Sequence, residues 1–232
     1  MSCFPIVILA GGYGTRVSSI ANNLPKSLIP IGKEPFVAHQ LRLLASKGFK
    51  DVLMCVGYQS DQIKNFVKDG NAFHLNVKYA HDGDQLLGTG GAIQSAFSQL
   101  PENFFVVYGD AYLQCDYADI QKTFEKSCKL GLMTIYKNNN QWDKSNVEYD
   151  GKKICCYSKT HITQSMSYID FGLNIFSKKA FLSFAKKSHF DLSEVHESLV
   201  KQNELAAYEV EERFYEIGSI DGIYALEKHL MQ

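Results

Sequence analysis

The chain has no excess of either charge: 24 Lys and Arg stand against 25 Asp and Glu in 232 residues, a formal net charge of −1. A dedicated nucleic-acid binder carries a basic surplus, so no nucleic-acid partner is expected and any anion site has to be local. Cys3, Cys55, Cys115, Cys128, Cys155 and Cys156 contain no C-x-x-C pair, and several stand in apolar stretches. That argues for buried reduced thiols in a cytoplasmic protein over a disulfide framework or a zinc site, with the vicinal Cys155-Cys156 pair packing within a strand. The first apolar run is too short for a membrane span and lacks a basic leader, so neither membrane insertion nor a signal peptide is expected. The seven histidines are scattered without metal-ligand spacing, and the single tryptophan, Trp142, reads as an anchor of its polar segment to the core. Repeats, low-complexity tracts and linkers are absent. One domain over 1–232 is expected.

What is present alternates between strand and helix. Ile6, Val7, Ile8 and Leu9 form a continuous, mostly β-branched run, as in parallel sheets covered on both faces. A proline-punctuated connection over 25–35 leads to a helix carrying Phe36, Val37, Leu41, Leu43 and Leu44 and ended by Gly48. Further strands are expected over 51–56, 75–80, 104–108, 132–136 and 168–176, then over 205–210 and 213–217. Helices are expected after Ser60 as cap, from Gly88 to about Leu100, over 117–129, 178–187 and 192–202 with Asp191 as cap, and over 221–230. Between about 137 and 163 the texture becomes polar, with strand-like pieces at 147–149 and 154–157. This segment reads as a small antiparallel insertion forming one wall of a cleft.

The chemistry gathers at breaks after strands. Gly11-Gly12-Tyr13-Gly14-Thr15-Arg16 follows the first strand, where glycines let successive N–H groups converge on a phosphate. The loop is neither a G-x-x-x-x-G-K-[ST] nor a G-x-G-x-x-G motif, since Val17 stands where the last glycine should. Arg16 offers a planar fork for phosphate oxygens and Lys26 a compact second charge, a combination suited to a polyphosphate. Gly109-Asp110 closes a buried strand and puts a carboxylate outside a strand's carboxyl end, where open α/β sheets bind ligands. A second glycine cluster, Gly88-Thr89-Gly90-Gly91, opens a helix.

Leu9-Ala10-Gly11-Gly12-Tyr13-Gly14-Thr15-Arg16 followed by Pro25-Lys26 resembles the signature of the sugar-1-phosphate nucleotidyltransferases. The likeness continues in family order through Leu87-Gly88-Thr89-Gly90-Gly91-Ala92, Tyr108-Gly109-Asp110, Tyr168-Ile169-Asp170-Phe171-Gly172-Leu173 and Tyr215-Glu216-Ile217-Gly218-Ser219. Short length and L-G-T-G-G-A further resemble the heptose-1-phosphate guanylyltransferase and muramate-1-phosphate uridylyltransferase members. The resemblance implies a Rossmann-like three-layer α/β/α fold with a mostly parallel central sheet and a small antiparallel sugar-side subregion. It implies the reaction NTP plus sugar 1-phosphate giving NDP-sugar and pyrophosphate, with GTP or UTP and a hexose or heptose 1-phosphate for surface glycan (lipopolysaccharide) or cell-wall precursor synthesis.

By the same resemblance Arg16, Lys26 and Asp110 are catalytic, Arg16 holding pyrophosphate and Lys26 the α-phosphate. Leu9, Ala10, Gly11, Gly12, Gly14 and Thr15 bind the nucleotide, with Gln85 and Gly90 against base and ribose. Asn146, Lys159, Asp170 and Gly172 bind the sugar phosphate, and Asp110 with Glu216 holds the Mg2+ cofactor. Two departures stand out: Glu216 replaces the aspartate of the family's D-x-G-[TS], and Ser158-Lys159-Thr160 replaces Glu-Lys-Pro. Cytidylyl transfer to a non-sugar phosphorylated acceptor, and a nucleotide-sugar-binding regulatory protein without turnover, remain the competing readings; a dehydrogenase ranks behind them. Homo-oligomerisation is left open.

Overall fold

Alternation within the first strand explains the layering. The computed structural model describes residues 3–12, 24–57, 59–83 and 86–231. In β1 (Ile6–Ala10) the side chains of Ile6 and Ile8 enter one apolar core while Val7 enters another on the opposite face. Both cores are covered by helices, so the strand is buried on both sides and no polar residue is tolerated in it.

The parallel part of the sheet consists of β1, β2 (Asp51–Val56), β3 (Asn76–His81) and β4 (Asn103–Tyr108), in spatial order β3-β2-β1-β4. The remaining strands are β5 (Gly131–Lys137), β6 (Val147–Tyr149), β7 (Ile154–Tyr157), β8 (Tyr168–Ser177) and β9 (Leu205–Val210). The ten-residue β8 runs antiparallel to β4 and β5, and β9 continues the sheet parallel to β5. The start of β8 pairs with β6, which pairs with β7. The expected antiparallel pieces at 147–149 and 154–157 are therefore present, hung from the end of β8.

One face carries α1 (Phe36–Ser46), α2 (Ser60–Val67) and α4 (Tyr117–Ser127), through Leu41, Ile63 and Phe124 among others. The other carries α3 (Gly88–Ser95) and α5 (Leu192–Lys201), through Ile93 and Val195. The last helix, α6 (Ile220–Leu230), packs Ile223 and Leu226 against Phe36 and Tyr112 in a third cluster. This is the three-layer α/β/α arrangement. No helix among the described residues is long and apolar enough to cross a membrane.

Several elements differ from the sequence reading. Lys178–Phe184 winds as 3-10 turns, which align Phe181 with Phe184 three residues on, and both enter the core. The glycine-opened helix stops at Ser95 and continues as a 3-10 turn, Phe97–Gln99. Ser60 is the first residue of α2 and caps nothing, whereas Asp191 and Glu194 form a reciprocal capping box on α5. The strand expected over 213–217 shrinks to Tyr215–Glu216, paired with Ala111–Tyr112. All six thiols are free, Cys55 and Cys115 buried and Cys128 and Cys155 exposed. A register shift between Ile154 and Cys156 turns the vicinal pair out of regular alternation, so Cys155 does not pack inward.

Beneath β8 lies a buried polar group with a pH consequence. His196 on α5 donates from Nε2 to Asn174 Oδ1 at 3.0 Å, and its buried Nδ1, like Tyr157 Oη beside it, has no partner among the described residues. Burial pushes the imidazole down to about 3, with Lys159 adding to the effect. Between pH about 6.5 and 3 the unfolded chain binds a proton that the folded His196 refuses, so this residue's contribution to stability is lost as pH falls. We expect a loss of about 2 kcal/mol between pH 7 and 5. Urea unfolding at both pH values should show it in the wild type and not in His196→Gln; equal losses would refute the assignment.

Candidate active site

The carboxyl ends of β1 to β4 open onto one cavity of about 340 Å³, lined by Leu9, Ala10, Gly11 and Gly12 from the first loop, Lys26 and Ser27, and Tyr108, Gly109 and Asp110 after β4. Its opposite wall comes from Cys55, Asp82, Leu86, Gly88, Thr89, Ala92 and Asp191. Ligand sites of open α/β sheets occupy this position.

Two close approaches of backbone shape it. Gly109 lies against β1, where a Cβ would stand 2.7 Å from the Leu9 carbonyl oxygen, so any other residue would push the Asp110 turn away. Gly88, at φ +73°, lies against Phe190, whose carbonyl oxygen would stand 2.5 Å from a Cβ. The Gly109-Asp110 turn is also clamped from below. Gln40 on α1, a buried residue, donates from Nε2 to the carbonyls of Tyr108 at 3.0 Å and Ala111 at 2.8 Å. Gln40→Leu keeps the volume and orphans both carbonyls, so we expect about 2 kcal/mol lower stability and a drop in kcat larger than the change in KM. A kcat that follows only the unfolded fraction would show that the clamp does not position Asp110.

The charged groups meet around Asp110. Lys26, brought in by a 3-10 turn at Lys26–Leu28, sets its Nζ 2.5 Å from Asp110 Oδ2, with the two side chains 16% and 30% exposed. Ile217 N–H donates to the Asp110 carbonyl at 3.0 Å, and the short ladder pairs Glu216 with Ala111, so Glu216 arrives one residue from Asp110. Its carboxylate accepts from the Gly218 N–H and, at 2.8 Å, from Ser219 Oγ. A Cβ on Gly218 would collide with Glu216 Oε2 and lie 3.0 Å from Lys26 Nζ. Glu216, Lys26 and Asp110 thus converge on one point although 190 residues of sequence separate the first and last of them.

Beside this cluster, Tyr108 links the cavity to the antiparallel subregion. Lys159 Nζ lies 5.4 Å over its ring and 3.5 Å from its hydroxyl. Burial raises the Tyr108 phenol well above its usual range, and the nearby carboxylates of Asp170, Asp110 and Asp191 raise it further. Asp170 precedes a bulge in which four residues of β8 span two of β5; Gly172 takes φ +94° there and donates its N–H to Asp170 Oδ1 at 3.0 Å. Burial pushes the Asp170 carboxyl up against the opposing pull of Lys159. Asn146 Oδ1 accepts from the Asp170 N–H at 2.9 Å, tying β6 to β8. Asn146, Lys159, Asp170 and Gly172 are therefore gathered in one place.

A family model for nucleotidyl transferases matches residues 6–232. The chain belongs to the nucleotidyl transferase family. It is 28% identical to the D-glycero-alpha-D-manno-heptose 1-phosphate guanylyltransferase of Campylobacter jejuni, over 94% of this chain and 96% of that one. Identity to the enzyme of the same description from Aneurinibacillus thermoaerophilus is also 28%, over 97% of each. Among solved structures, HddC from Yersinia pseudotuberculosis complexed with GMP-PN superposes with a TM-score of 0.78 at 24% identity, covering 98% and 99% of the two chains. A putative glucose-1-phosphate thymidylyltransferase from Bacillus anthracis reaches 0.85 at 18% identity, covering 97% and 94%. These structural likenesses establish the Rossmann-like fold of this nucleotidyl transferase.

Of the residues singled out from sequence, Leu9, Ala10, Gly11, Gly12, Lys26 and Asp110 line the cavity, and Glu216 stands next to Asp110. Gly14, Thr15, Arg16 and Gln85 lie outside the described residues. Gly90 is turned away from the cavity: its N–H donates to the Phe190 carbonyl at 3.0 Å and a Cβ there would collide with the Phe190 ring. Trp142 does not anchor its segment to the core: it is exposed and meets Arg213, whose guanidinium carbon lies 3.6 Å from the Trp142 ring centroid and 4.9 Å from that of Tyr215. Gln40, Asp82, Tyr108 and Asp191 escaped the sequence reading as site residues. For Asp82 and Asp191 the available signal was a carboxylate beside a strand or helix end; for Gln40 there was none.

Proposed function

We propose that this nucleotidyl transferase joins an NTP, GTP or UTP, to a hexose or heptose 1-phosphate, giving an NDP-sugar and pyrophosphate for surface glycan or cell-wall precursor synthesis. The observation that carries the proposal is the convergence of Lys26, Asp110 and Glu216 at one end of a cavity whose other side leads through Tyr108 to Lys159 and Asp170. The descriptions of the two heptose 1-phosphate guanylyltransferase relatives support GTP and a heptose 1-phosphate among these substrates.

In this reading an oxygen of the sugar phosphate attacks the α-phosphorus, a new P–O bond forms and the bond to the β-phosphate breaks. The protein's part is positioning and charge stabilisation, not covalent catalysis. Lys26 carries the fixed positive charge to the α-phosphate, and Lys159 faces the sugar phosphate. Arg16, assigned on its motif alone, takes the departing pyrophosphate. Asp110 and Glu216 would hold Mg2+: the ladder sets the Glu216 backbone one residue from Asp110, and two carboxylates with substrate oxygens completing the shell suit a small hard cation. When bound, the ion neutralises charge on the phosphate oxygens. The four NTPs tested against a series of sugar 1-phosphates, read by pyrophosphate release, decide the matter. Release with GTP or UTP and an aldose 1-phosphate is expected; no release with any sugar 1-phosphate would end this reading.

A further inference from the structure

One carboxylate in the cavity has no task in the reaction above. Asp82 immediately follows β3, and its N–H donates to the Val56 carbonyl at 3.2 Å, extending the sheet register by one residue. Its Oδ2 faces the first glycine loop, 3.3 Å from where a Cβ on Gly11 would stand. The side chain lines the cavity on the wall that also includes Cys55, Leu86 and Ala92. Burial accordingly pushes its carboxyl above the usual range, against the opposing pull of the Leu87 backbone N–H and His81. Half-buried and met by a single backbone N–H among the described residues, the carboxylate keeps acceptor capacity free for a ligand's donors.

Strand order gives its distance from the reacting end. Along the rim the strand ends follow as Asp110 after β4, Gly11 after β1, Gly57 after β2 and Asp82 after β3. Neighbouring strands lie about 4.8 Å apart, so three spacings put the backbones at the two strand ends roughly 14 Å apart, with the Asp82 carboxylate leaning back from its end toward Gly11. That is comparable to the reach of a nucleotide from its α-phosphate to the far edge of its base. With Lys26 beside Asp110 marking the phosphate end, Asp82 stands at the base end.

We propose that Asp82 reads the nucleobase and selects guanine, accepting from both the ring N1–H and the exocyclic N2 amino group. The inference rests on the nucleotidyl-transfer reading and adds the identity of the base. A carboxylate is an acceptor with two oxygens, and it matches a ligand edge that presents two donors side by side. Guanine has such an edge. Adenine and cytosine place a ring-nitrogen acceptor beside the amino group, and uracil flanks its N3–H with two carbonyl oxygens, so each sets at least one lone pair against the carboxylate. A site built around hydrogen bonds discriminates strongly against a ligand that leaves them unmade.

The test is calorimetric binding of GTP, ITP and UTP to the full chain with Mg2+. ITP differs from GTP by the missing N2 amino group alone. The wild type should bind GTP about tenfold to a hundredfold more tightly than ITP, the value of one hydrogen bond to a charged group. Asp82→Asn keeps the shape, and it should bring the GTP to ITP ratio close to one while UTP binding is retained or tightened, because the lone-pair repulsion against uracil is gone. A wild-type ratio of one overturns the proposal without any variant. Equal losses for all three nucleotides in Asp82→Asn also overturn it, because the carboxylate would then hold the ribose hydroxyls. Strong ITP or UTP binding with no preference for GTP leaves nucleotidyl transfer standing; no binding of any NTP removes both readings.

Discussion

Asp110→Asn should lower magnesium-dependent pyrophosphate release by about a thousandfold or more while the protein remains folded. Asparagine fills the same space, and its backbone keeps the Ile217 hydrogen bond that seats Glu216 beside it. Only the charge is lost. The ion pair with Lys26 is partly exposed, so its removal costs at most about 1 kcal/mol of stability. Turnover and unfolding are thereby separated: circular dichroism and the urea midpoint should barely move while the rate collapses. Wild-type rates in this variant would mean that Asp110 is a structural partner of Lys26 and nothing more.

Gly88→Ala should have the largest effect on stability. The residue sits at φ +73°, where a side chain is strained, and its Cβ would stand 2.5 Å from the Phe190 carbonyl oxygen. Backbone cannot step aside as a flexible side chain can. Strain and overlap together should cost about 3 kcal/mol. For a chain of this size that lowers Tm by roughly 6–12 °C. Nucleotide affinity should fall with it, because Gly88 and Thr89 form a cavity wall. An unchanged Tm would show that the 188–191 segment can move off α3.

What was legible in the sequence, and what was not, follows from the range over which each signal acts. The central strands are readable because apolar runs such as Phe104 to Tyr108 are rich in β-branched and aromatic residues, too short for a buried helix and bounded by turn residues. The glycine breaks and the Gly-Asp turn were readable because they are local. The 3-10 winding after Ser177 was not, since periodicity barely separates it from an α-helix over seven residues. Gly90 was assigned to the ligand because a glycine implies close approach; the body it approaches is Phe190, one hundred residues on. Gln40 and Asp82 depend on which strand ends become neighbours, and that is a property of sheet order. The Lys26, Asp110 and Glu216 grouping was foreseen only through resemblance to a family, since no spacing rule joins them.

The stack that begins at Trp142 has an engineering consequence. Trp142, Arg213 and Tyr215 lie in sequence, and Tyr215 in turn stacks on His229 at 4.4 Å with an 18° interplanar angle. Tyr215 immediately precedes Glu216, so the polar insertion and the strand bearing that carboxylate share a buttress. Grafting the 137–163 segment from a relative to change sugar preference would strip Arg213 of one of its two aromatic faces. Such a chimaera inherits a loosened Glu216 together with its new specificity, unless residues 142 and 213 are exchanged as a unit.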